Sequence, residues 1–163
     1  MATGAREVLG FAPMTAEPRP AAERLLGRFL DGDPHYQASA AMYGDGGRRA
    51  LTQALDLFLA RPELGFVWIA TRNADVVGAC VVCHAISTSR GSLVAKLDDV
   101  TVDPDRQRQG NGAAMLAALA EYLRARGFGR IDTACHRDND GAWRFYERLG
   151  YRPLHEERIA FLL

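Results

Sequence analysis

Lysine is nearly missing from this chain. Lys96 is the one lysine among 20 basic residues, and 20 acidic residues balance them to a formal net charge of zero. No basic surplus remains to neutralise the phosphates of a duplex, which argues against a nucleic-acid partner. No apolar run approaches the ~20 residues that cross a bilayer. Met1 to Arg6 carries no apolar signal-peptide core. The expectation is a cytoplasmic protein with no membrane partner. Cysteine is scarce as well: three residues, an odd number, in a chain with no export signal point to free thiols. The string Cys80-Val81-Val82-Cys83-His84 matches a haem-attachment pattern in letters only. In a strand, residues three apart point to opposite faces, so the two thiols cannot grip one haem or metal ion. No metal is expected. What is present is the composition of a globular protein, 163 residues with 48% hydrophobic and 25% charged. That suits a single domain over residues 1–163 with one substantial core.

Periodicity orders the rest. Val8 to Met14 reads as a first strand and Ala21 to Leu30 as a helix with Leu25, Leu26, Phe29 and Leu30 on one stripe. Asp31 to Tyr36 carries turn signals, and Gly44-Asp45-Gly46-Gly47 reads as a mobile loop. Arg48 to Ala60 is a second helix. Phe66 to Thr71 and Val76 to Ile86 form a hairpin around Asn73-Ala74-Asp75. Leu93 to Val102 is the next strand, and it carries the adjacent carboxylates Asp98 and Asp99. Two carboxylates in a strand are costly to bury unless paired or used. Gly112 to Arg126 is a helix, Arg130 to His136 a strand, and the segment after Asp138 or Asn139 a last helix ending at Gly150. Tyr151 to Pro153 and Arg158 to Leu163 are expected to be final strands.

The stretch from Val100 to Leu116 organises the chain. The β-branched run Val100-Thr101-Val102 gives way to Pro104, which has no N–H for a ladder. After a loop holding Gly110 and Gly112, a helix begins. Its first N–H groups are unpaired and partly positive, so phosphate oxygens can approach where side chains are small. Arg106 and Arg108 add full positive charges. No Lys-Ser or Lys-Thr follows the glycines, and Met115 stands where a dinucleotide fingerprint needs a third glycine.

What remains, Gln107-x-x-Gly110-x-Gly112 after a Val-x-Pro strand end, resembles motif A of the GNAT superfamily of N-acetyltransferases. The string Asn139-x-x-Ala142-x-x-Phe145-Tyr146-x-x-x-Gly150-Tyr151 resembles the family's second signature. Both stand in the family's order, one helix and one strand apart. The strand Leu97-Asp98-Asp99-Val100-Thr101-Val102 looks like that of diamine and related small-molecule amine acetyltransferases. Arg108 replaces the family's usual glycine. Asn111 replaces an apolar residue, which is expected to weaken packing under the loop.

The resemblance implies an α/β fold: a mixed, mostly antiparallel twisted sheet of six to seven strands with helices on both faces. It implies acetyl-CoA as cosubstrate, held by the backbone of Val100, Thr101 and Val102, by Gln107, Arg108, Gln109, Gly110, Asn111, Gly112 and Ala113, and by Asn139 and Tyr146. It implies direct attack of a primary amine, of a small molecule or peptide, on the thioester. An ammonium group with a pKa near ~10 must first lose a proton. Asp99 or Asp98 is the candidate base, with His84 or a water in reserve, and Tyr146 matches the family's general acid. His35, Tyr36, Tyr43, His84 and Asp99 are candidate acceptor contacts. Dimers are common in the family, and Arg158 to Leu163 could supply an edge strand for one. The rival reading is a GNAT-like module that binds CoA without turnover.

Overall fold

The structure, a computed structural model, describes residues 8–44 and 46–163. The expectations for Met1 to Arg6 and for Asp45 lie outside the described residues, as does the side chain of Tyr43. The elements run β1 (Leu9–Pro13), α1 (Arg19–Gly32), α2 (Pro34–Tyr43), α3 (Gly47–Ala60), β2 (Gly65–Arg72), β3 (Asp75–Ser87), β4 (Ser92–Val102), α4 (Asn111–Arg124), β5 (Phe128–Thr133) and α5 (Asp140–Arg148). The five strands form one sheet in chain order. The first four are antiparallel to their neighbours, and β5 lies parallel to β4.

Strand alternation splits the core into two layers. Val67 and Ile69 of β2 pack with Ala22, Leu25 and Leu26 of α1 and with Leu51 and Leu55 of α3. Trp68 and Ala70 face the other way, towards Met115, Leu116, Leu119 and Leu123 of α4. The Trp68 indole N–H donates to the Met115 carbonyl at 3.1 Å, so this aromatic is buried without an orphaned donor. Burying one such leucine contributes roughly 2 kcal/mol. Cys80 and Val82 lie in the α4 layer and Val81 packs against the other, so alternation turns half-buried Cys83 away from Cys80.

Two β-bulges break the alternation. Ala70 pairs with Gly78 and Thr71 with Val76, leaving Val77 extra. Ala79 pairs with Thr101 and Val81 with Asp98, so Asp99 and Val100 together oppose Cys80. Asp99 takes up the irregularity with φ 52, in the left-handed region.

The count of six to seven strands is corrected to five. Residues 151–163 have no regular structure, and Ile159, Phe161 and Leu163 are exposed. A strand exists only through ladder bonds to a neighbour, and no neighbour of β5 on its far side is formed by this segment. A second correction concerns the turn signals at Asp33-Pro34. They start a helix instead of a loop: the Asp33 carboxylate accepts from the Tyr36 N–H at 2.7 Å, and Pro34 occupies the first turn, where a missing N–H costs nothing. Among the described residues, no helix is long and apolar enough to cross a membrane.

Candidate active site

β4 and β5 are paired only from Leu93–Phe128 to Leu97–Thr133. The Thr133 hydroxyl donates to the Leu97 carbonyl at 2.9 Å at the last paired position. Beyond it β5 ends, while β4 runs on through Asp98 to Val102 with that edge open. Strand geometry fixes which groups face the gap. The Asp103 N–H donates to the Val77 carbonyl on β3, so the Thr101 N–H points to β3 too, and the N–H groups of Val100 and Val102 point into the gap. The Val102 carbonyl on that side accepts from the Gln107 amide at 3.1 Å.

The two acidic side chains part at the bulge. Asp98 borders a cleft of about 1150 Å³ that is walled by β5, α4, α5 and the terminal segment, and Thr133 and Tyr146 border it as well. Arg158 lies 3.4 Å from the Asp98 carboxylate. Asp99 borders a second chamber of about 510 Å³ between α1, α2, α3 and β3. Burial first, and the neighbouring Asp98 charge second, push the Asp99 carboxyl up to about 6 from an ordinary 3.8, with Arg158 acting in the opposite sense.

Tyr146 is buried on the inner face of α5, its ring 5.2 Å from those of Phe145 and Tyr151. Its phenol and Thr133, whose hydroxyl marks the last β4–β5 pairing position, border the same cleft. Burial pushes its pKa well above the usual phenol range, so its proton is retained at neutral pH. Asn139 caps α5, its side-chain oxygen accepting from the Ala142 N–H at 3.0 Å.

Below the open edge of β4 lies the loop into α4. Arg108 has φ 59 and Gly110 φ 78. Gly110 stands at the N-cap of α4, and no side chain caps that end. The first N–H with an intrahelical acceptor is that of Ala114, to Gly110. A Cβ at Gly112 would meet the Phe145 ring at 3.4 Å and Val102 at 3.5 Å, so the floor is close-packed behind the glycine. Gln107 and Gln109 spend their side-chain amides bracing the loop, on the carbonyls of Val102 and Asp105. Asn111 corrects the expectation of weakened packing. It is 2% exposed, donates to the Arg106 carbonyl at 2.7 Å and accepts from Arg72 at 2.8 Å, tying the loop to β2. Open helix N–H groups with Arg106 and Arg108 beside them fit the pyrophosphate of acetyl-CoA, and the open edge of β4 fits the amide-bearing arm that leads from it.

Of the candidate acceptor contacts, the structure brings Tyr36 together with Asp99 on the 510 Å³ chamber. His35 packs on His136, beyond the end of β5, with ring centroids 5.1 Å apart. His84 is not brought to the site. It pairs with Ala95, four residues below Asp99 on the neighbouring strand, roughly 13 Å away at ~3.3 Å per residue. Its Nδ1 lies 3.0 Å from the Glu63 carbonyl, and its ring packs on Phe66 and Phe128. Among the described residues, no group of three or more His, Cys, Asp or Glu side chains is placed to hold a metal ion.

The family model described as "Acetyltransferase (GNAT) family" matches residues 21–151. The chain belongs to the GNAT acetyltransferase family. Among curated proteins, it is 31% identical over 97 residues to an uncharacterized N-acetyltransferase of Methanocaldococcus jannaschii, covering 53% of this chain and 43% of that protein. It is 43% identical over 84 residues to a mycothiol acetyltransferase of Clavibacter michiganensis, covering 52% of this chain and 26% of that protein. The chain thus spans less than half the length of these two relatives. Among solved structures, an aminoglycoside N-acetyltransferase in complex with CoA superposes with a TM-score of 0.75 at 15% identity, covering 98% of this chain and 97% of that one. At that identity the likeness is one of fold.

Proposed function

We propose that this chain is an acetyl-CoA-dependent N-acetyltransferase acting on a primary amine of a small molecule. The observation that carries the proposal is the open edge of β4 beyond its pairing with β5, which leads to an uncapped helix N-terminus. A protonated phenol borders the cleft on one face of that strand, a carboxylate with a raised pKa borders the chamber on the other, and the Val100 N–H points into the gap.

Acetyl-CoA, when bound, supplies the acetyl group as a thioester. Gly110 to Ala113 present N–H groups to its phosphates, and Arg106 and Arg108 add charge. The edge of β4 at Val100 and Val102 orients its arm. Asp99 takes a proton from the acceptor ammonium, directly or through a water, leaving a neutral amine that can attack. An acid at about 6 is mostly ionised at pH 7 yet far more basic than a free aspartate, which suits a general base. The Val100 N–H is aimed into the gap, where negative charge develops on the carbonyl oxygen. The Tyr146 O–H donates its proton to the departing thiolate. Cytoplasmic location and pairing of two copies through residues 158–163 belong to the same proposal.

Calorimetric titration with acetyl-CoA, with ATP as control, tests the site. Thiol release in the presence of a panel of primary amines tests the reaction. Binding of acetyl-CoA and not ATP, with amine-dependent thiol release, is expected. Absence of acetyl-CoA binding would overturn the proposal.

A further inference from the structure

The chamber beside Asp99 carries information about the acceptor. Leu30, Leu51, Leu55, Phe58 and Val81 supply its apolar walls, and Tyr36 and Gln37 border it as well. Among the described residues, two other charges border it, Asp31 and Arg48, and they pair with each other. Arg48 Nε and Nη2 donate to one Asp31 oxygen at 2.9 and 2.6 Å. The guanidinium packs against Gly27, where a Cβ would come within 1.8 Å of Nη1, so the glycine makes room for the pair. The Gln37 amide is likewise committed, to the Leu30 carbonyl. Among the described residues lining the chamber, Asp99 is the carboxylate that no lining cation pairs with.

Among the described residues, a ligand entering here meets one carboxylate without a lining cation, Asp99, beside the apolar walls. One ammonium group is matched. A second would lie against apolar walls or beside the neutralised Asp31–Arg48 pair, at a large desolvation cost. A carboxylate on the ligand would find Arg48 already satisfied. We infer that the acceptor is an amine whose single ammonium group is carried on an uncharged, largely apolar body, and that diamines and polyamines are discriminated against. The inference rests on the proposed function for the identity of the base, and it names the substrate class of that same site.

The experiment compares a series of n-alkylamines with 1,6-diaminohexane, each measured as kcat/KM and as affinity for the CoA-loaded protein. Along the series from ethylamine to hexylamine, each methylene buried should raise kcat/KM about fourfold, the equivalent of ~0.8 kcal/mol. Hexylamine should exceed 1,6-diaminohexane by at least about tenfold, since the second ammonium must be desolvated or held out. Ala54 is exposed on α3 and borders the chamber, so Ala54→Glu adds a carboxylate at a site that tolerates it. It should narrow the hexylamine preference by about tenfold. A flat alkyl series, a diamine as good as hexylamine, or no change in the ratio on Ala54→Glu would overturn the inference. Hexylamine binding in the expected order without turnover would instead overturn the proposed function and leave the acceptor preference standing.

Discussion

Replacing Asp99 by Asn should move activity and stability in opposite directions, and the size of the second effect follows from the site. Asn tolerates the left-handed conformation that Asp99 holds at φ 52, so the bulge is retained and the change is confined to charge. In the folded protein the carboxyl titrates at about 6, against 3.8 as its ordinary value. The folded state therefore binds this proton more tightly than the unfolded state does. The ionised group weakens the fold by at most about 3 kcal/mol above pH 6, and the effect fades as pH falls towards 4. Removing the charge should accordingly raise Tm by roughly 5–10 °C at pH 7 for a chain of this size. The gap should close on acidification to pH 4. The same variant should lose about a hundredfold or more in kcat, the usual contribution of a general base. Wild-type kcat/KM should fall tenfold per pH unit below about 6, a limb that the variant lacks. Scanning calorimetry at pH 4, 5.5 and 7, together with a pH–rate profile, reads both effects. A Tm gain that is the same at pH 4 and pH 7, or a variant that keeps the acid limb, would refute the reasoning.

Three further substitutions separate the parts of the site. Tyr146→Phe should lower kcat by about a hundredfold while leaving acetyl-CoA affinity within about threefold, as measured by calorimetry, because the phenol is assigned to the departing thiolate and not to binding. Gly112→Glu should reduce acetyl-CoA affinity by about a hundredfold or more, as measured by calorimetry, by bringing a carboxylate to the phosphate-binding end of α4, while Gly112→Ala, whose Cβ makes ordinary contacts, should keep a circular-dichroism melt close to wild type. Asn111→Ala should cost about 2 kcal/mol in a denaturant melt, because it removes two hydrogen bonds from a buried site; an unchanged midpoint would show that the loop does not depend on its tie to β2.

The parts legible in the sequence were those whose physics is local. The glycine loop before α4 and the Asn139 cap of α5 each depend on residues within a few positions, and spacing exposes them. The start of α2 is equally local, but Asp33 followed by Pro34 is ambiguous: the same pair suits a turn or a helix cap with a first-turn proline. The role of Asn111 is not legible, because its partner Arg72 lies 39 residues away on β2. Nor is the place of His84. Its spacing put it near a strand end, but only the register with Ala95 shows that this is the end remote from the gap. Tyr151 to Pro153 and Arg158 to Leu163 failed as strands for a complementary reason: composition can favour an extended chain, but a ladder needs a partner that no local pattern specifies.

The bulge at Asp99 explains how one irregularity serves several needs at once. In an unbroken β4, alternation from Ala95 and Leu97 would place residue 99 on the α4 face, among Met115 and Leu119, where a carboxylate has no partner. The extra residue shifts the phase. Val100 packs against the α4 core instead, and Asp99 turns to the chamber on the opposite face. The carboxylate remains buried enough to be a stronger base than a surface aspartate but is spared the core. The bulge lies just past Leu97, where pairing with β5 ends, so the next N–H on the open edge is that of Val100. A left-handed aspartate inside a strand carries a conformational cost of about 1–2 kcal/mol. Gly or Asn would adopt that conformation more readily, so the Asp99→Asn variant tests the carboxylate without disturbing the bulge.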